Sequence, residues 1–214
     1  MDLVKFGHSC VRLTKDGTAL VIDPGSLSKS ADALRGADGV LITHEHADHV
    51  DADAVRSAAQ ANPDLRIWAP AATAAQFADL GERVRTVAAD DRFDALGFDV
   101  QTFGGQHALI YPLIPVVANV AYLVEGNLYH PGDSFIVPTA PVANLLVPIH
   151  APWSKTAEVI DFVTAVRPER AFQIHDGFLN ASGLGLVEGL VNRFGSRVGS
   201  AFHHLADGES RRLT

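Results

Sequence analysis

One seven-residue stretch constrains this chain more than any other. Thr43-His44-Glu45-His46-Ala47-Asp48-His49 follows directly on the apolar run Gly39-Val40-Leu41-Ile42. Gly39 to Thr43 is apolar enough to form a strand buried on both faces, so three histidines and an aspartate arrive together at a strand end. In an extended stretch, residues two apart point the same way, so His44 and His46 can grip one metal ion together. Asp48 and His49, just past the strand, can turn toward a second. Imidazole nitrogen with carboxylate oxygen is a zinc ligand set, with metal–nitrogen distances of about 2.0–2.1 Å. The spacing also excludes a reading. A helical His-Glu-x-x-His site starting at His44 needs histidine at 48, where Asp48 stands, so a thermolysin-like peptidase is rejected.

Other apolar runs end in the same way. Phe6-Gly7-His8, Val21-Ile22-Asp23, Ile42-Thr43-His44, His130-Pro131-Gly132-Asp133, Pro148-Ile149-His150 and Gln173-Ile174-His175 all stop on histidine or aspartate. Loops at strand ends are where rigid scaffolds hold chemistry. For any one of these residues a satisfied core histidine is the default reading. Six such endings, in a chain with ten histidines, point instead to polar residues converging on one rim.

The rest of the chain supplies the scaffold. Short apolar or alternating runs at Leu3–Phe6, Val11–Leu13 and Leu20–Ile22 predict an opening meander, with Asp16-Gly17 as a turn. Alanine-rich Asp51–Ala61 and Ala71–Leu80 predict helices around a strand at Leu65–Trp68. Hairpins are expected near Leu96-Gly97 and Gly126-Asn127, and further strands at Leu145–Val147 and Ala171–Ile174. Lys155–Val166 has helical periodicity stopped by Pro168, and Leu184–Phe194 is the last expected helix. Strands first and then strands alternating with helices suit a sheet-rich α/β sandwich with outer helices.

Composition sets the outer bounds. A length of 214 residues allows one sizeable core and is short for two complete domains, so residues 1–214 are expected to form a single domain. Apolar residues at 47% and charged residues at 20% indicate a globular protein. A net charge of -8 argues against extended nucleic acid as a partner. Cys10 is the only cysteine, which rules out an internal disulfide and a thiolate zinc site; flanked by apolar positions, it reads as a buried, inert thiol. No apolar run approaches the roughly 20 residues that span a bilayer, and MDLVKFGHSC lacks the pattern of a signal peptide. No membrane partner is expected, and a cytoplasmic location follows by default.

His-x-His-x-Asp-His after an apolar strand resembles the signature of the metallo-β-lactamase superfamily, and the resemblance recurs in order along nearly the whole chain. Asp23 after Leu20-Val21-Ile22 matches the family's early aspartate. His107 in Gly104-Gly105-Gln106-His107 is similar to its third histidine, Asp133 in His130-Pro131-Gly132-Asp133-Ser134 to its bridging aspartate, and His175 in Gln173-Ile174-His175-Asp176 to its last histidine. The resemblance implies an αββα sandwich of two mixed sheets with outer helices. It implies one metal on His44, His46 and His107, a second on Asp48, His49 and His175, and Asp133 bridging. Gly7-His8-Ser9-Cys10 and the compact length resemble the branch of L-ascorbate-6-phosphate lactonase-like proteins.

The chemistry expected is hydrolysis of a small-molecule lactone or other activated acyl bond. Two divalent ions, zinc first, with manganese or iron compatible, share a water and lower its pKa toward neutrality. Asp48 and Asp133 then hold the metals and orient the nucleophile. His150, with His8 and His130 as further candidates, protonates the leaving group; Asp23, His8 and His130 are otherwise expected to orient ligands by hydrogen bonds. Trp153 and Phe178 are expected to wall the substrate pocket. Apolar Ala108–Val117 reads either as a lid over an apolar substrate or as a contact in a homo-oligomer. His203 and His204 are expected at the surface. Ser9 and Ser134 lack a base and acid relay, so they are not read as nucleophiles. The alternatives are a phosphodiesterase acting on a small cyclic or short nucleotide, and a mono-iron oxidoreductase of the same fold.

Overall fold

The computed structural model describes residues 1–213. The first sheet starts as an antiparallel meander of β1 (Asp2–Lys5), β2 (Val11–Lys15) and β3 (Thr18–Ile22), and then adds β4 (Gly39–Leu41), β5 (Arg66–Ala69) and β6 (Val84–Thr86) in parallel. Between these parallel strands lie helices α1 (Ser30–Leu34), α2 (Ala52–Ala61) and α3 (Ala71–Ala75). The second sheet repeats the plan. The strands β7 (Arg92–Ala95), β8 (Phe98–Gly104), β9 (Val120–Val124) and β10 (Leu128–His130) run antiparallel in turn. Then β11 (Asn144–Pro148), β12 (Arg170–Ile174) and β13 (Ala201–His203) run parallel, with α4 (Thr156–Val166) and α5 (Ala181–Gly195) as crossovers. The last strand, β14 (Ser210–Arg212), returns to the first sheet beside β1.

Side chains alternate along a strand, and here the alternation builds three cores. Leu41 and Trp68 of the first sheet face Leu146 and Phe172 of the second in the central core. Their neighbours Val40 and Ile67 turn outward to Val55, Ala59 and Phe77 on the helical side. On the other side, Leu145 and Val147 pack against Val159, Phe162 and Val191 of α4 and α5. Strands buried on both faces are built mainly of apolar residues, as β4 and Leu145–Pro148 of β11 are. The result is the expected four-layer αββα sandwich. No helix among the described residues is long and apolar enough to cross a membrane.

Three local expectations change. The strand at Gly39–Thr43 ends at Leu41, because the buried Asp23 carboxylate takes the Thr43 amide at 2.7 Å and pulls the chain out of the sheet. The helix at Ala71–Leu80 stops at Ala75. A 3₁₀ turn at Ala78–Arg83 follows, with Gly81 at φ 60°, while Phe77 between the two is driven into the core. Finally, α1, β6, β13 and β14 carry too little apolar pattern to be read from sequence; β14 is exposed at every position.

Candidate metal centre

Pairing directions decide where the polar strand ends meet. Within the first sheet β1, β3 and β4 run the same way, as do β8, β10, β11 and β12 in the second. The loops after their carboxyl ends carry His8, Asp23, the His44–His49 segment, His107, Asp133, His150 and His175. These loops form two groups whose ligand atoms lie within 4.8 Å of one another: His44, His46, His107 and Asp133, and His8, Asp48, His49 and His175. The His44–His49 segment is a loop and not an extended strand. His44 Nε2 and His46 Nδ1 nevertheless lie 3.1 Å apart, close to the ~3.3 Å expected for two nitrogens at tetrahedral zinc distances.

Hydrogen bonds on the far side of each ring fix which nitrogen carries the proton. His49 Nδ1 donates to Asp23 Oδ2 at 2.7 Å, and His175 Nδ1 donates to the carbonyl of His150 at 2.7 Å. His107 Nδ1 donates to the carbonyl of Ala108. The Thr43 hydroxyl donates to Asp23 Oδ2, so its oxygen is free to accept from His44 Nδ1 at 3.0 Å. In all four rings Nε2 is the atom left facing the centre. Asp23 is thus the anchor of the loop: fully buried, it accepts from the Thr43 amide, the Thr43 hydroxyl and His49.

Asp133 sits where the two groups meet. His49 Nε2 lies 3.0 Å from its Oδ1, and His107 and His175 Nε2 each lie 3.2 Å from its Oδ2. Despite these distances, the Nε2 atoms of His49, His107 and His175 and Asp133 Oδ1 are buried without a hydrogen-bond partner, their angles being wrong for one. Buried polar atoms left in this way cost roughly 1–3 kcal/mol each. Lone pairs of imidazole and carboxylate converging in a buried centre are the donor set of a divalent transition ion, so these residues fit the metals that the resemblance implies.

The surrounding loops are shaped to present Asp133. Trp153 Nε1 donates to its Oδ2 at 2.8 Å, and Asn119 Oδ1 accepts from its amide at 3.0 Å. At Gly132, φ is 61° and a Cβ would fall 2.2 Å from Asn119 Oδ1, so only glycine fits the turn. Gly25 is held as tightly: a Cβ there would meet the Asp48 carbonyl at 1.8 Å.

Protonation follows from burial and charge. Burial alone would raise the Asp48 carboxyl, but the approach of His175 at 3.5 Å and the hydrogen bond from His8 outweigh it and hold the group well below the usual carboxylate range. Asp133 is likewise held low, the charge of His49 and the close approach of His107 and His175 overcoming its burial. Burial opposes charge on His175, yet Asp133 and Asp48 raise it to about 9. For His44 burial wins, and the ring is pushed well below its ordinary value.

The remaining candidates separate by their contacts. His8 Nδ1 accepts the Gly177 amide at 3.2 Å, so its proton sits on Nε2 and faces Asp48 Oδ2 at 3.3 Å. It lies among the second group by distance, but as a donor rather than a ligand. His130 spends both nitrogens on backbone: Nε2 donates to Ser9 O at 2.9 Å and Nδ1 accepts from Gly132 N at 3.1 Å. His150 supplies its carbonyl to His175, and its ring belongs to neither group. Phe178, half exposed, lies edge-on to His8 at 5.4 Å. His203 lies tilted against Phe172 and His204 pairs with Glu188, both outside the two groups. Cys10 is buried, and burial pushes its thiol up. Sequence reasoning missed Thr43, Asn119 and Gly177, because nothing in a lone threonine, asparagine or glycine marks it as support for a ligand.

A family model described as "Beta-lactamase superfamily domain" matches residues 2–175. Protein Rv0786c of Mycobacterium tuberculosis is 38% identical over 194 residues, spanning 88% of this chain and 90% of its own. A protein of Methylobacterium nodulans named "UPF0173 metal-dependent hydrolase" is 30% identical over 151 residues, 64% of each chain. Among solved structures, Igni18, described as a novel metallo hydrolase from Ignicoccus hospitalis, superposes with a TM-score of 0.75 at 20% identity, covering 98% of this chain and 97% of that one. With the family model spanning every candidate ligand from His44 to His175, the chain belongs to the beta-lactamase superfamily.

Proposed function

We propose that the protein is a metal-dependent hydrolase that cleaves a small-molecule lactone or other activated acyl bond with two divalent ions, zinc suiting the imidazole-rich set and manganese or iron compatible with it. The observation carrying this reading is the set of buried, unpartnered Nε2 atoms of His49, His107 and His175 converging on Asp133. His44, His46 and His107 would hold one ion, and Asp48, His49 and His175 the other, with Asp133 between them. Bound there, the ions would lower the pKa of a shared water toward neutrality and polarise the bond under attack. A family relative named as a metal-dependent hydrolase supports the same reading.

The chain's own groups then have separate tasks. Asp48 is partly open to solvent and faces the His8 proton, so it can orient the attacking water. Trp153 holds Asp133 in one rotamer. Hydrolysis forms one carbon–oxygen bond to water and breaks another, and the departing alkoxide needs a proton. The attacking water supplies it through Asp48, and His8 Nε2–H beside that carboxylate is better placed to steady the transfer than His150, whose ring is in neither group.

A cavity of about 460 Å³ opens beside the first group, with His107 and Trp153 in its wall and neither lysine nor arginine lining it. A phosphodiester substrate lacks its usual partners there. The second group is complete in Asp48, His49 and His175, which favours two ions over a mono-iron centre. Turnover of a lactone, thioester and phosphodiester panel by zinc-loaded protein, beside Asp48→Ala, tests the reading. Acyl cleavage lost in the variant supports it, and phosphodiester turnover alone would replace it.

A further inference from the structure

The loop between His107 and Val117 is hung from one clasp. His107 N donates to Val117 O at 3.0 Å, and Ala108 N donates to Asp133 O at 2.8 Å, so both ends are pinned to the metal centre. Between them Leu109, Tyr111, Leu113, Ile114 and Val116 are exposed, Leu113 to 84%. Ile136, across the cavity, is exposed as well. Apolar side chains gathered in water on one short loop indicate something that binds there. What binds is indicated by continuity: the cavity runs from Leu109 and Ile136 to His107 and Trp153. His107 Nε2 faces Asp133 at 3.2 Å, and Trp153 bonds the same carboxylate. A group seated against Leu109 therefore reaches the chemistry directly.

We propose, building on the hydrolase reading, that the substrate carries an apolar acyl or alkyl arm that lies between the Leu109 loop and Ile136. Glu158, the charged residue in the lining, repels an anionic arm, and its carboxylate is occupied by the Lys155 amide at 2.8 Å. Pro112 and Pro115 restrict the loop, so little ordering accompanies binding. Each methylene buried against this wall should raise kcat/KM about threefold to fourfold.

Two probes separate this inference from the reading beneath it. The first is turnover of p-nitrophenyl esters from acetyl to octanoyl by zinc-loaded protein. The second is calorimetric binding of the matching straight-chain carboxylates, which needs no hydrolysis. Binding that tightens with chain length, with the slope lost in Leu109→Asp and kept in Leu186→Ser on α5, supports the arm site even if no ester is cleaved; in that case only the hydrolase reading falls. Ester turnover with no dependence on chain length in either probe overturns the arm site and leaves the hydrolase. A dimer in sedimentation that Leu113→Asp dissociates, with flat carboxylate binding, overturns it in favour of a second copy.

Discussion

The indole N–H of Trp153 donates at 2.8 Å to Oδ2 of Asp133, the carboxylate at which the two ligand groups meet. The same oxygen lies 3.2 Å from both His107 and His175, so the indole fixes which way its lone pairs point. Trp153→Phe keeps an aromatic ring against Phe135, 4.9 Å away, and deletes only the donor. Hydrogen bonds that orient a ligand typically govern about 10–100-fold in metal affinity or activity. Zinc affinity by chelator competition is expected to fall within that range; wild-type affinity in the variant would show that the indole is only a wall.

His8 is held from behind by Gly177. A Cβ at Gly177 would fall 2.9 Å from His8 Nδ1, so Gly177→Ala pushes the ring off Asp48 without touching a candidate ligand. Both Gly177→Ala and His8→Ala should slow turnover about tenfold or more, and the double variant should be no worse than the single ones, because they act on one contact. Additive losses in kcat/KM would separate the two residues.

In the metal-free protein the pH dependence has a definite sign. His175 is raised from 6.5 to about 9 in the folded state. A raised imidazole gives stability that is complete below its ordinary value and is lost as pH rises through about 9. The melting temperature of chelator-treated protein is therefore expected to decline between pH 7 and 9.5, and His175→Gln to flatten that decline. A wild-type curve that rises over this interval would contradict the assignment.

Asp23 ties the centre to the first sheet. Fully buried at φ 51°, it accepts three hydrogen bonds from Thr43 and His49. Asp23→Ala leaves those donors unpaired and places alanine in the left-handed region, at a combined cost of about 3–5 kcal/mol. Asp23→Asn tolerates the backbone but loses acceptor capacity, and should be milder. Urea unfolding of the two variants tests the order.

Metal loading should stabilise the fold by linkage, because the unfolded chain lacks the centre. Zinc is expected to raise the melting point of wild-type protein and to bind at two equivalents by elemental analysis. Asp48→Ala should retain one, held by the intact His44, His46 and His107 group. Two equivalents in that variant would remove Asp48 from the ligand set.

Much of this is legible in the sequence. The period-two runs gave most strands, and their habit of ending on histidine or aspartate marked the rim, because a strand's end is fixed by where its apolar pattern stops. The signals failed where tertiary contact overrode local pattern. Asp23 takes Thr43 out of β4, and Phe77 breaks a helix that its alanines favour. The edge strands β6 and β14 bury so little that they leave no alternation to read. The sequence offers Trp153 as a pocket wall, but its indole N–H on Asp133 depends on a fold-back that no local pattern encodes.

The pairing of β14 with β1, Asp2 opposite Arg212, has a consequence for assembly. β1 leads into the loop that carries His8, yet one of its two edges finds a partner only when residues 210–212 are available. His175 and His8 are joined in the same way, the amide of one donating to the carbonyl of the other at 3.1 Å. Contacts of such long sequence separation form late, because a long stretch of chain must close before they are made. The centre is therefore completed late in folding, once residues 175 and 210–212 have joined β1 and the loop that follows it.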